Sequence, residues 1–397
     1  MSIPSLPGED TVGVYLHVPF CERVCPYCDF AVEAARPLGR DREDAYVAAV
    51  LRELALRRED FAGLALASLY LGGGTPSLLR PDAVARLVAA VGVAFLRSDP
   101  VEVSLEVNPS TVERERLPAF REAGVNRLSL GIQSFDDLVL KRLGRAHRAE
   151  EGHETLHAAR AAGFDELSLD LIFGVPDQSR ASFERDLDLT VAFGPEHVSA
   201  YALTFEPGTP FGRARADGRL PAPPDDDVAE LYERAGERLA EAGLPAYEIS
   251  SYARPGHESR HNQRYWQRLP VLALGVGAHS TEPRSGEAPH GARRRNVRSV
   301  EAYLAALAEG RTPQEGETER LEAATARGEA LFLALRTARG LDPDRFAAEF
   351  GEPPEAWFGE ALHELAEAGL LGRTGRGWLV LTPRGRLLAD TVFERFV

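Results

Sequence analysis

The stretch "HVPFCERVCPYCDF" at residues 17–30 holds all three cysteines of the 397-residue chain, Cys21, Cys25 and Cys28. Their spacing is C-x3-C-x2-C, in what reads as a loop directly after an apolar, β-branched run, VGVYLHV at 12–18. Three cysteines make no disulfide framework, so the crowding asks for a metal or redox explanation, with zinc or spare thiols as the plain alternatives. A structural zinc ion takes four ligands, one more than these thiolates supply. His17 is a possible fourth, yet it precedes Cys21 by four residues on the strand itself. An iron–sulfur cube has four irons, of which one can be left open to a small molecule. A C-x3-C-x2-C loop on the first strand of a strand–helix series favours the cluster.

That series runs outward from the loop. Apolar runs at 67–71, 101–107, 126–132, 166–172 and 197–203 follow the first strand. Helical patterns fall between them, at 41–60, 80–95, 111–123, 135–142, 150–162 and 179–193, with another at 225–242. Asp41 is a candidate cap for the first helix. Alternation of this kind predicts an α/β fold with a parallel sheet and helices outside it. Six units predict an open or partial (β/α)6 barrel rather than a closed eight-stranded one. After Pro245 the rhythm weakens: "PAYEISSYARPGHESRHNQRYWQ" (245–267) reads as a structured loop region, 271–280 as one more strand with a glycine turn, and 281–297 as surface loop. From 299 the pattern is mainly helical and ends in strand, glycine turn, strand, helix, which resembles a winged-helix unit. The expected domains are therefore 1–245, 246–298 and 299–397.

Composition narrows the partners. Net charge is −15, from 46 basic and 61 acidic residues, which argues against nucleic acid. The basic run "GARRRNVR" at 291–298 reads as a solvated loop, and the winged-helix-like tail as a packing or partner module. No apolar run of about 18 residues is present, and the N-terminus lacks the pattern of a secretory signal. A cytoplasmic protein without a transmembrane segment is expected.

The blocks "YLHVPFCERVCPYCDF" (15–30), "YLGGGTPS" (70–77), "EVNP" (106–109), "RLSLGIQSF" (127–135), "LGRAH" (143–147) and "DLIFGVP" (170–176) resemble the radical S-adenosylmethionine (SAM) superfamily, in its HemN/HemW branch. The resemblance spans essentially the whole chain. It implies that Cys21, Cys25 and Cys28 hold a [4Fe-4S] cluster whose fourth iron is chelated by SAM. It also implies a SAM pocket lined by Tyr15, Tyr27, Gly73, Gly74, Thr75, Glu106, Gln133, Arg145, Asp170 and Ala202. Physical chemistry fits each block. Glycines after the second strand let backbone approach a ligand. Glu106 and Asp170 end the third and fifth strands, where ligands of parallel sheets sit, and can accept from ribose hydroxyls or hold an ammonium. Gln133 and Arg145 can pair with a carboxylate. Taken singly, a triple glycine is often only a turn and a lone acid often a cap or surface group.

Two functions share that branch: oxygen-independent coproporphyrinogen III dehydrogenation, and haem chaperoning. The dehydrogenases carry a fourth cysteine two residues past the third, where this chain has Phe30, and a longer N-terminal segment than the 14 residues that precede Tyr15 here. The chaperones carry H-N-x-x-Y-W, matched by "HNQRYW" at 261–266. Imidazole is a common haem-iron ligand, and Tyr and Trp offer flat faces to a macrocycle. The resemblance therefore implies haem as cargo, His261 as iron ligand with Tyr265 and Trp266 as walls, and unidentified acceptor proteins. A buried loop histidine is the bland alternative; His279 is a second candidate ligand. A dehydrogenase, or another radical SAM enzyme of porphyrin metabolism, is the alternative function.

Overall fold

The computed structural model of the protein describes residues 8–397. Six strands follow the expected rhythm: β1 (Thr11–Val18), β2 (Ala65–Gly73), β3 (Leu96–Val107), β4 (Arg127–Gln133), β5 (Glu166–Phe173) and β6 (His197–Ala202). Between them run α1 (Arg40–Arg57), α2 (Pro81–Ala94), α3 (Thr111–Glu122), α4 (Asp137–Arg142), α5 (Ala149–Ala161) and α6 (Arg180–Phe193). Helices α7 (Pro210–Ala216) and α8 (Asp225–Glu241) follow β6. The six strands pair in chain order and in parallel. Alternation in β1 sends Val12, Val14, Leu16 and Val18 into the layer under the helices. Tyr15 and His17 therefore face the concave interior. Asp41 is not the cap of α1: Gly39 holds that position, and Asp41 sits in the first turn, where its charge still complements the helix dipole.

Residues 246–298 contain more regular structure than the loops expected from their polar, aromatic sequence. Strand β7 (Ser251–Ala253) adds antiparallel to β6. "HNQRYW" lies on a helix, α9 (Arg260–Trp266), whose start is closed by Ser259 Oγ accepting from Asn262 N at 3.2 Å. Strand β8 (Val271–Leu274) then pairs parallel with the free edge of β1. An antiparallel meander extends it: β9 (His279–Glu282), β10 (Ala292–Arg295) and β11 (Glu319–Arg320). The sheet order is β11-β10-β9-β8-β1-β2-β3-β4-β5-β6-β7, an open sheet with a seven-stranded parallel centre.

Buried Glu53 of α1 clasps the added strands to the centre. It accepts from Gly275 N (2.9 Å), Asn296 Nδ2 (2.6 Å) and the Tyr303 hydroxyl (2.6 Å). Tyr303 belongs to α10 (Val300–Ala308), which buries Val300, Tyr303 and Leu307 in the same core as α1. The helical tail expected from 299 thus begins inside the main core. A second core follows, built on α11 (Ala323–Leu335), α12 (Pro343–Phe350), α13 (Pro354–Glu367) and the antiparallel hairpin of β12 (Leu371–Arg373) and β13 (Leu379–Leu381). Helices followed by a hairpin match the expected winged-helix-like pattern. Ala338 N donates to Tyr247 O at 2.9 Å, and Arg268 pairs with Glu349 at 2.7 Å, tying the two cores together.

Candidate functional site

A cavity of about 480 Å³ lies inside the curve of the sheet, at the carboxyl ends of the parallel strands. Cys21, Cys25 and Cys28 line it together with Tyr27, Gly73, Gly74, Thr75, Glu106, Gln133, Arg145, Asp170 and Ala202. Residues separated by up to 181 positions in the chain are brought to one space.

The cysteine loop is pinned by backbone. Phe20–Cys21 pairs with Glu33–Ala34, and Gly74 N and Thr75 N donate to Val18 O and Phe20 O at 2.8 Å each. Gly74 is obligatory, since a Cβ there would sit 2.8 Å from both of those carbonyls and 2.9 Å from Cys21 Sγ. At Gly73, with φ +107°, a Cβ would strike the His17 ring at 2.5 Å. His17 itself is turned away from the sulfurs. Its ring nitrogens meet the Tyr15 hydroxyl (3.0 Å) and Ala31 O (2.9 Å), and burial lowers its pKa, so it is a neutral brace for the loop rather than a fourth ligand. Burial also pushes the Cys21 thiol up to about 11 and raises Cys28. Among the described residues no three His, Cys, Asp or Glu side chains converge on a point that would hold a single ion. The three thiols all line one cavity.

The acids stand where strand ends converge. Glu106 accepts from the Tyr70 hydroxyl (2.9 Å) and from Gly73 N (3.0 Å), and burial raises its pKa to about 7. Asp170 accepts from Ser129 Oγ at 2.9 Å and is raised to about 6, again by burial. Arg145 donates to Asn108 Oδ1 (2.5 Å) and Gly131 O (3.1 Å) and lies 3.7 Å from Cys25 Sγ. Its buried Nε finds no acceptor among the described residues. Gln133 ends β4 with φ +64°, a left-handed conformation that only a well-determined surrounding sustains in a non-glycine residue.

Tyr15 is the exception among the expected pocket residues. It is half-buried and not among the side chains that line the cavity; its ring stacks on Tyr70 at 6.2 Å and on His261 at 6.3 Å. Conversely, the sequence reading missed a lining of small polar groups: Ser104, Ser129, Ser168 and Ser199, with Arg127 and His197 deeper. A signal for them exists, because β3–β6 each place a serine among alternating apolar residues, Ser104, Ser129, Ser168 and Ser199.

The haem motif divides. His261 is 1% exposed, with Nδ1 bonded to Ser68 Oγ (3.0 Å) and Nε2 to the Tyr265 hydroxyl (3.2 Å). Its ring stacks on Tyr70 at 5.2 Å, and burial drops its pKa to about 3. As placed it is a neutral floor residue with both nitrogens engaged. Trp266 faces a different cavity, under the Arg336 guanidinium at 4.6 Å. His279 is exposed at the start of β9.

Comparison with known proteins accounts for this arrangement. Residues 15–190 match the radical SAM superfamily model and residues 321–388 the HemN C-terminal domain. The heme chaperone HemW of Bacillus subtilis is 34% identical over 388 residues, 97% of this chain and 99% of that protein. The chain belongs to the HemW family of radical SAM proteins. HemW of Mycobacterium tuberculosis is 39% identical over 98% of this chain and 95% of its own. Among solved structures, the coproporphyrinogen III oxidase HemN of Escherichia coli, titled a radical SAM enzyme, superposes with a TM-score of 0.81 at 25% identity, over 97% of this chain and 90% of that one. Membership of the superfamily implies a [4Fe-4S] cluster and SAM, and the thiols, the glycine approach and the Arg145 donor not used within the protein fit both. No helix among the described residues is long and apolar enough to cross a membrane.

Proposed function

We propose that the chain is a haem chaperone that binds haem, carries a [4Fe-4S] cluster with exchangeable SAM, and delivers haem to acceptor proteins in the cytoplasm. The observation that carries this reading is the full-length likeness to proteins named heme chaperone HemW. Phe30, 64% exposed on the cysteine loop at the cavity mouth, adds to it, because the dehydrogenase branch has a cysteine there.

Cys21, Cys25 and Cys28 would hold the cluster, which supplies one-electron chemistry when bound. Arg145 and Gln133 are placed to take the carboxylate of SAM, Arg145 as a charged donor in a water-poor space. Glu106 and Asp170 are placed to accept from ribose hydroxyls or to hold the ammonium. Thr75, Tyr27 and Ala202 would pack around them.

A second reading, a coproporphyrinogen III dehydrogenase or a related radical SAM enzyme, is favoured by one observation: the strand-end cavity keeps its charged and polar groups. One preparation separates the two. After anaerobic reconstitution the chain is titrated with haem, and the same sample is assayed with coproporphyrinogen III, SAM and a reductant. Haem binding near one per chain without decarboxylation is expected. Formation of protoporphyrinogen IX would replace the chaperone by the enzyme.

A further inference from the structure

Helix α9 separates two cavities. Asn262 lines the strand-end cavity, whereas Gln263, Trp266 and Gln267 line a second one of about 500 Å³ between α9 and the C-terminal core. Two of the three tryptophans of the chain, Trp266 and Trp378, meet there across 112 residues of sequence. Each lies under a guanidinium at 4.6 Å, Trp266 under Arg336 and Trp378 under Arg339. The buried Trp266 indole N–H finds no acceptor among the described residues.

Three arginines and three acids line this cleft, and they are paired unevenly. Arg268 is compensated by Glu349 at 2.7 Å. Arg339 and Arg345 also line the cleft, and neither has an ion-pair partner among the described residues. The two other acids at its wall are turned to backbone: Asp342 caps α12 through Asp344 N (3.1 Å), and Glu258 accepts from Gly256 N (3.1 Å). Aromatic faces beside two guanidinium groups without an ion-pair partner, one of them stacked on Trp378, suit a planar aromatic ligand that carries carboxylates.

We propose that this cleft seats the haem cargo, with the macrocycle against Trp266 and Trp378 and its propionates at Arg339 and Arg345. The proposal rests on the reading of the chain as a haem carrier and assigns a place to the cargo. It leaves the strand-end cavity to the cluster and SAM, makes the C-terminal core half of the seat, and gives His261 a floor role instead of iron ligation.

The test uses the full chain with its cluster rebuilt. Haem is titrated by Soret absorbance and SAM by calorimetry. The wild type should bind haem dimethyl ester, which has lost both carboxylates, about a hundredfold more weakly than haem, the loss of two charge-assisted hydrogen bonds. Arg345→Gln and Arg339→Gln should each weaken haem by about tenfold, the loss of one such bond, and shrink that discrimination, with SAM affinity and iron–sulfur absorption unchanged. His261→Asn should keep the Soret maximum. Equal affinity of the wild type for haem and its ester, or folded arginine variants with wild-type affinity and undiminished ester discrimination, would move the seat elsewhere while the carrier reading stands. Loss of the Soret band in a folded His261→Asn protein that still binds SAM would return the iron to His261. No haem binding by the wild type at all would withdraw the carrier reading itself.

Discussion

The two cavities flanking α9 are of similar size but opposite in construction. The strand-end cavity is drawn from successive strands of one parallel sheet, so its polar groups appear in sequence as one small motif per strand. The cleft is drawn from α9 and from a core that begins some 60 residues later, and of its tryptophans and arginines only Trp266 belongs to a motif. In the first, most polar groups bond to one another: Glu106 with Tyr70 and Gly73, Asp170 with Ser129, Arg145 with Asn108. In the second, Arg339 and Arg345 have no ion-pair partner among the described residues, although Arg339 stacks on Trp378. Carboxylates already bonded to their neighbours hold their place before any ligand arrives, even though Ser104 Oγ, Arg127 Nη2 and Arg145 Nε of the same cavity find no partner among the described residues, whereas guanidinium groups without an ion pair draw more of their order from what they bind.

If the two are independent, damage to one must leave the other intact, and the largest damage is to the cysteines. Cys25→Ala should reduce iron after anaerobic reconstitution from about four per chain to near none, while haem affinity stays. Elemental analysis beside a haem titration checks both halves, and one bound zinc without labile sulfide in the wild type would reject the cluster.

A pH scan probes the acids of the strand-end cavity. The Glu106 carboxyl is raised from 4.5 to about 7 by burial, so the folded chain keeps its proton where the unfolded chain has lost it. Stability of the cluster-free protein should therefore fall as pH rises from 4.5 to about 7 and level off above. Glu106 borders a cavity and is only part-buried, so its share is about 1–2 kcal/mol rather than the full value of its shift. Glu106→Gln, a mimic of the protonated acid, should flatten that part of the slope in denaturant melts; an unchanged slope would place the titration elsewhere.

Asp170→Ala should weaken SAM by about 1–3 kcal/mol, the loss of a hydrogen bond to a charged group. Calorimetry reads it, and an unaltered Kd would remove Asp170 from the SAM contacts. The smallest effect is expected at the partition itself. His261→Leu leaves Ser68 Oγ and the Tyr265 hydroxyl without their shared partner and should lower stability by about 1–2 kcal/mol, with SAM affinity within error of wild type. A change in SAM affinity larger than the change in stability would show that the floor shapes the cavity above it.

Much of the strand-end cavity was legible because parallel strands impose a rule of place: residues at strand ends converge. Cys21, Gly73, Glu106 and Gln133 follow it, whereas Asp170, expected to end the fifth strand, lies three residues before the end of β5 and reaches the cavity from within the strand. The order of the six strands and the mainly helical tail with its hairpin were legible for the same reason, period and punctuation. For Tyr15 a period-two pattern says which face the residue takes but not that its ring would stack on Tyr70. The helix at 260–266 was hidden by its composition. "RHNQRYW" has no apolar face of the usual kind, and its stability comes from tertiary partners: Arg264 donates to Thr11 O (2.6 Å) and Pro270 O (2.9 Å), and Glu102 accepts from His261 N (3.0 Å). Strand β8 was legible as a strand, but its pairing with β1 across some 255 residues was not, because nothing local encodes a partner.

That pairing has a consequence for how the chain is made. Until Val271–Leu274 has left the ribosome, β1 presents an unpaired edge along Gly13–Leu16. Glu53 waits over the same interval, since its donors lie 222, 243 and 250 positions downstream. A carboxylate without its donors and an open strand edge both favour wrong partners in a crowded translation zone. The nascent protein therefore passes roughly two-thirds of its synthesis with its oldest strand exposed, and the early half of the sheet depends on help or on speed until the last parallel strand arrives.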